Sequence, residues 1–146
     1  LLVGNPLWRY AEMNEALQKS AFQSDVIFAG RLEIENLVLA MGGATALLFP
    51  SYFEGFGIPI IEAFAAGIPV ITSNTTSLPE IAGGAALISE PDDTERISEY
   101  MFEIYSNENQ RLKLKNDGLN RISSFSWEHT TNKVKEALFL SLNLTK

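Results

Sequence analysis

Short apolar runs alternate with stretches of helical periodicity from residue 1 to about residue 90. The runs Leu1–Val3, Val26–Phe28, Ala46–Phe49, Pro69–Thr72 and Ala86–Ile88 are too short for helices and are bounded by Gly, Pro or polar residues, so they predict strands. Between them Arg9–Ser20, Ile34–Met41, Pro59–Ala66 and Leu78–Ala82 predict helices. A strand with one wet face alternates apolar and polar residues, whereas ALLF and PVIT do not alternate. Continuous runs of this kind belong to a parallel sheet covered on both faces. The expected fold class is therefore α/β, a three-layer domain with a parallel sheet of about five strands.

Local chemistry delimits the third helix best. Pro59 suits a first turn, where a missing N–H costs nothing, and Gly67 can take the left-handed position that ends the helix. Pro69 prevents continuation. After Glu90 the pattern becomes helical alone. Asp92 with Glu95 resembles a capping pair, and Ile97, Tyr100, Met101, Ile104 and Tyr105 mark one apolar face. Asn107 opens a second helix carrying Leu112, Leu119 and Ile122. Ser126 caps a third, with Val134, Ala137, Leu138, Ser141 and Leu142 on one stripe. No repeat, low-complexity segment or linker interrupts the chain, so residues 1–146 are expected to form a single domain. Because LLVG reads as a strand already under way at residue 1, that domain is expected to be a fragment of a larger protein.

Composition narrows the chemistry. With 146 residues, 46% hydrophobic and 20% charged, the chain can bury a real core. It contains no cysteine and one histidine, which excludes disulfide and thiolate chemistry and makes a protein-built zinc site a poor expectation. No apolar run approaches the roughly 20 residues that span a bilayer, and a reducing, cytoplasmic setting is compatible. The net charge of −7 argues against nonspecific nucleic-acid binding, which needs basic residues to replace phosphate counterions. Any bound phosphate needs a local cluster of donors.

Such a cluster is legible in Ser51–Val70, SYFEGFGIPIIEAFAAGIPV. Glu54 falls in the loop after strand ALLF, and Glu62 is expected in the first turn of the next helix. Ligands of open α/β sheets bind at the carboxyl ends of strands. Gly55 and Gly57 let backbone approach a ligand closely, and the N–H groups of Phe56, Gly57 and Ile58 stand where a helix begins. Orphan donors and aligned peptide dipoles favour an anion there by about 0.3–1 kcal/mol, and up to about 2 when partly buried. Two carboxylates repel an anion but accept well from hydroxyl groups, which suggests a sugar near Glu54 and a ribose near Glu62. The bland alternative is a solvated loop carboxylate and a helix N-terminal charge. His129, Glu80 and the acidic run Glu90–Glu95 read better as surface, helix-end and helix-entry residues; Trp8 and Arg9 read as loop residues.

Glu54 and Glu62 spaced as E-GFGIPII-E, followed by AFAAGIPVITSN and LPEIAGGAAL, resemble the donor-binding half of retaining GT-B glycosyltransferases of family four. VIFAG at Val26–Gly30, LLFPS at Leu47–Ser51 and FSW at Phe125–Trp127 extend the resemblance over nearly the whole chain. It implies a Rossmann-like C-terminal domain of a GT-B fold with a helical end, binding a nucleotide-diphosphate sugar without a metal or other cofactor. By this resemblance Glu54 is the catalytic residue and contacts the transferred hexose. Gly55, Phe56, Gly57 and Ile58 offer backbone to hexose and diphosphate, Glu62 holds the ribose, and Arg31 and Leu32 lie near the base. Transfer to an acceptor hydroxyl retains configuration, the leaving diphosphate assisting attack on the same face. The sugar or lipid-linked acceptor binds an N-terminal domain, in glycan or cell-envelope polysaccharide synthesis, with peripheral association at the inner face of a membrane. Family members carry an Arg and a Lys ahead of the present residue 1, so this fragment alone is expected to be inactive. Gly84 and Ala44-Thr45-Ala46 depart from the family pattern. Two alternatives are a noncatalytic Rossmann-like interaction module and a GT-B enzyme of other chemistry, such as a sugar-nucleotide epimerase. Alongside the main reading, weak self-association through the apolar face of the last helix is a further expectation.

Overall fold

The computed structural model describes residues 1–5 and 10–142, so Trp8 and Arg9 lie outside the described residues. They fall into two compact units, Leu1–Ala40 and Met41–Lys146, although no linker composition marks the division.

In the first unit β1 (Leu2–Val3) pairs in parallel with β2 (Phe28–Gly30), and α1 (Tyr10–Gln18) lies between them in sequence. The second strand begins later than Val26. The amide of Val26 is taken by Gln23 O at 3.3 Å to close a 3₁₀ turn, Gln23–Asp25, so the ladder starts beyond it. The ladder is closed by Leu2 N–H to Ile27 O and Gly4 N–H to Gly30 O, both 2.8 Å. Arg31, exposed, and Leu32, half-buried, follow the end of β2 and precede α2 (Ile34–Gly43).

The second unit holds β3 (Leu47–Phe49), α3 (Ile58–Ala66), β4 (Val70–Ser73), α4 (Leu78–Ala82) and β5 (Leu87–Ser89). Its three strands are parallel in the order β3-β4-β5, with Leu47 beside Val70 and Ile71 beside Leu87. The strands thus pair as a set of two and a set of three. All four residues of β4 are buried, as the unbroken apolar run requires. Val70 joins Ile60, Ala63, Phe64, Leu78 and Ile81 of α3 and α4, whereas Ile71 joins Ile104 and Leu114 in a separate cluster. Successive side chains of a strand point to opposite faces, so β4 has helices on both.

Three helices follow: α5 (Thr94–Ser106), α6 (Glu108–Ile122) and α7 (Trp127–Ser141). Asn107 caps α6 by accepting from Gln110 N–H at 3.1 Å, and Ser126 caps α7 by accepting from His129 N–H at 3.0 Å, as expected. The cap of α5 is Asp93, not Asp92. Asp93 Oδ1 accepts from Arg96 N–H at 2.9 Å, while the Asp92 carboxylate is engaged by the Tyr52 hydroxyl. On α5 the buried positions are Ile97 and Ile104, with Tyr100 half-buried; Met101 and Tyr105 are exposed. On α6 the inward row is Leu114 and Gly118, whereas Leu112 and Leu119 are exposed. Phe64 is the reason. A Cβ on Gly118 would stand 2.6 Å from Phe64 Cδ1, so the bare backbone of α6 is what admits the ring of α3. Arg111 ties α6 back to the end of α5 by donating to Ile104 O at 2.7 Å and Tyr105 O at 3.2 Å. A cation on the last carbonyls of a helix also opposes its dipole favourably.

Candidate functional site

The loop from Pro50 to Gly57 leaves the carboxyl end of β3 and enters α3. Gly57 is the N-cap, at φ 106°, a left-handed backbone that only glycine adopts cheaply. Leu78 closes over it: a Cβ there would lie 2.9 Å from Leu78 Cδ2. Gly55 differs, since nothing lies within 4 Å of its would-be Cβ and its φ is not in the left-handed region. The fold requires glycine at 57 and leaves position 55 open.

A second loop, Ser73–Ser77 at the carboxyl end of β4, holds the first. Ser73 donates its hydroxyl proton to Ser51 O, and Thr75 donates to the same oxygen at 2.8 Å. The Glu54 N–H donates to Thr76 Oγ1 at 3.1 Å. The Ser77 hydroxyl reaches two carbonyls, Glu54 O at 3.0 Å and Phe56 O at 2.9 Å. Thr76 takes φ 51°, left-handed for a β-branched residue, which is a costly conformation that its surroundings must impose. Asn74 donates to the Glu90 carboxylate beside it. With Tyr52 on Asp92, the acidic run thus ties down these loops as well as starting α5.

The Phe56 ring packs edge-on to Phe125, with centroids 6.2 Å apart at 82°. Arg121 lies 4.8 Å over the other ring and donates to Ile81 O at 3.1 Å and Glu80 O at 2.7 Å, the carbonyls at the end of α4. The side chain of Phe56 therefore serves packing, and its backbone remains for other use. Among the described residues no acceptor takes the N–H groups of Phe56, Gly57 or Ile58. Glu54 is half-buried in this loop. Glu62 is exposed and stands fifth in α3, in the second turn and not the first, because the helix begins at Ile58. Glu54, Gly55, Phe56, Gly57, Ile58 and Glu62 are thus gathered on one loop and helix of the second unit. Arg31 and Leu32 belong to the first. His129 is exposed in the first turn of α7, and Glu80 lies exposed on α4 with its carbonyl engaged by Arg121. Among the described residues no three His, Asp or Glu side chains cluster as metal ligands.

The carbonyls of Ser51, Glu54 and Phe56 are held, and among the described residues the amides of Phe56, Gly57 and Ile58 have no acceptor, at the carboxyl edge of a parallel sheet; that arrangement can receive an anion flanked by hydroxyl groups. Residues 1–121 match the family described as glycosyl transferases group 1. The chain belongs to this family. Among its group 1 relatives, the O-antigen chain mannosyltransferase B of Escherichia coli is 31% identical over 137 residues, covering 94% of this chain and 36% of that protein. A GDP-mannose-dependent monoacylated alpha-(1-6)-phosphatidylinositol monomannoside mannosyltransferase of Corynebacterium glutamicum is 28% identical, covering 88% and 35%. Among solved structures, sucrose-phosphate synthase of Thermosynechococcus elongatus superposes with a TM-score of 0.79 at 27% identity, over 96% of this chain and 38% of that one. The chain thus spans about a third of the length of these proteins. Its α/β fold, with parallel strands and a helical C-terminal end, matches the C-terminal half of GT-B structures.

Phe125, in FSW, and Ser73-Asn74, at the end of AFAAGIPVITSN, entered the sequence reading only as parts of a resemblance, without a role at the site; Thr75, Thr76, Ser77 and Arg121 did not enter it. The signal was present in SNTTS, four hydroxyl residues and an asparagine at the end of a buried strand. Its pairing with residues 51–56 needed the register of β3 on β4.

Proposed function

We propose that this chain is the donor-binding domain of a retaining glycosyltransferase that moves a hexose from a nucleotide-diphosphate sugar to an acceptor hydroxyl. The observation that carries the reading is the segment Glu54–Glu62: unaccepted N–H groups at Phe56, Gly57 and Ile58, bracketed by one half-buried and one exposed carboxylate. The amides receive the diphosphate, Glu54 accepts from hexose hydroxyls, and Glu62 accepts from the ribose. Stabilising the negative charge that grows on the leaving diphosphate supplies much of the rate, and no nucleophile from the protein is needed. The names of the relatives support mannose as the sugar, GDP as its carrier and a cell-envelope polysaccharide as the setting. The acceptor binds a part of the protein that these residues do not include.

The test is calorimetric titration of the full-length protein with GDP-mannose, UDP-glucose and ADP-glucose. One series is expected to bind, and Glu62→Ala is expected to weaken it about ten- to a hundredfold, the usual effect of losing charge-assisted hydrogen bonds. If none of the three binds, or if Glu62→Ala binds like the wild type, the donor-binding reading is wrong.

A further inference from the structure

Ser77 occupies the N-cap of α4 but does not cap it. Serine at that position ordinarily accepts from an N–H in the first turn. Here its single hydroxyl proton is shared between the carbonyls of Glu54 and Phe56, on a different loop. A trans peptide is planar, with its C=O and N–H pointing in opposite directions. Holding the carbonyl of Glu54 therefore aims the N–H of Gly55 away from Ser77, and holding that of Phe56 does the same for Gly57. The next plane is fixed separately: Gly57 O accepts from Ile60 N–H at 3.0 Å, which turns the N–H of Ile58 out of the start of α3. Thr76, the neighbour of Ser77, takes the Glu54 N–H and is kept in a left-handed conformation while doing so.

We propose that Ser77 is a positioning residue for the diphosphate of the donor, setting the direction of the Gly55 and Gly57 amides through the carbonyls behind them. The inference rests on the donor-binding reading above, and it assigns a diverted cap a job that helix stability does not explain. Ser77 touches no substrate. An amide aimed in advance loses no orientational freedom when the anion arrives, and stays fixed as charge accumulates on the leaving group.

The test compares nucleoside diphosphate with monophosphate on the full-length protein, using GDP with GMP and UDP with UMP. A monophosphate keeps the ribose and base contacts but lacks the second phosphate. In Ser77→Ala the preference for diphosphate over monophosphate is expected to collapse about tenfold, as for one lost hydrogen bond, with monophosphate affinity within about twofold of wild type. Ser77→Thr, which keeps the hydroxyl, is expected to restore the preference. Glu62→Ala is expected to weaken both ligands equally. If Glu62→Ala behaves so while Ser77→Ala retains the wild-type preference, the inference fails and the donor reading stands. Equal weakening of both ligands by Ser77→Ala would mark a merely structural role and overturn it too. If the wild type binds neither pair, the donor reading falls and the inference falls with it.

Discussion

Gly55 and Gly57, two residues apart, behave differently. Gly57 combines φ 106° with the close approach of Leu78, so Gly57→Ala is expected to destabilise the protein by about 1–3 kcal/mol, read from urea unfolding. Gly55 has neither constraint, so Gly55→Ala is expected to stay within about 0.5 kcal/mol of wild type in the same assay. If the donor binds against this backbone as proposed, donor affinity of Gly55→Ala should nonetheless fall. Equal unfolding midpoints for the two variants would contradict this account. The sequence named both glycines for the same reason, closeness to a ligand. It could not separate them, because the separating facts are a dihedral angle and a leucine 21 residues away.

At the scale of elements, the helix caps offer a direct contrast. Asp93→Ala is expected to cost about 1 kcal/mol by removing the cap of α5. Asp92→Asn keeps an acceptor for Tyr52 and leaves the cap intact, so thermal melting should place it near wild type. The reverse order would restore the assignment expected from sequence. The contact between α3 and α6 makes a second prediction with an unusual sign. In an exposed helix, alanine is better than glycine by about 1 kcal/mol. At Gly118 the ring of Phe64 fills the space, and Gly118→Ala is expected to destabilise by about 1–3 kcal/mol in denaturant unfolding. Adding Phe64→Leu should recover part of that loss, because neighbouring substitutions couple. Full additivity in the double mutant would show that the two residues do not meet as described. Apolar periodicity marked Leu112, Leu119 and Ile122 on α6: Ile122 is half-buried against the core, Leu112 and Leu119 are exposed, and the inward row through Leu114 was not marked because its next position is a glycine.

At the scale of the whole chain, α7 differs from α3, α4, α5 and α6 in its exposure. None of its residues is buried, and Val134, Leu138 and Leu142 are exposed along the stripe that the sequence marked as apolar. Leu138→Glu is accordingly expected to leave unfolding stability within about 0.5 kcal/mol. If the stripe drives weak self-association of the chain, sedimentation equilibrium should show concentration-dependent mass in the wild type and monomer in Leu138→Glu; monomer in both would remove that idea. Among the described residues no helix is long and apolar enough to cross a membrane.

The sequence by itself determined the alternation of strand and helix, the parallel sheet, the Asn107 and Ser126 caps, and the Glu54–Glu62 segment. Each of these is written within a few residues of chain, as a run, a period or a spacing. Tertiary structure alone decided which hydroxyls hold the site loop, which row of α6 faces inward, and why Phe56 packs on Phe125. Those contacts join residues 21 to 69 positions apart, and what brings them together is the register of β3 on β4 and the packing of α6 against α3.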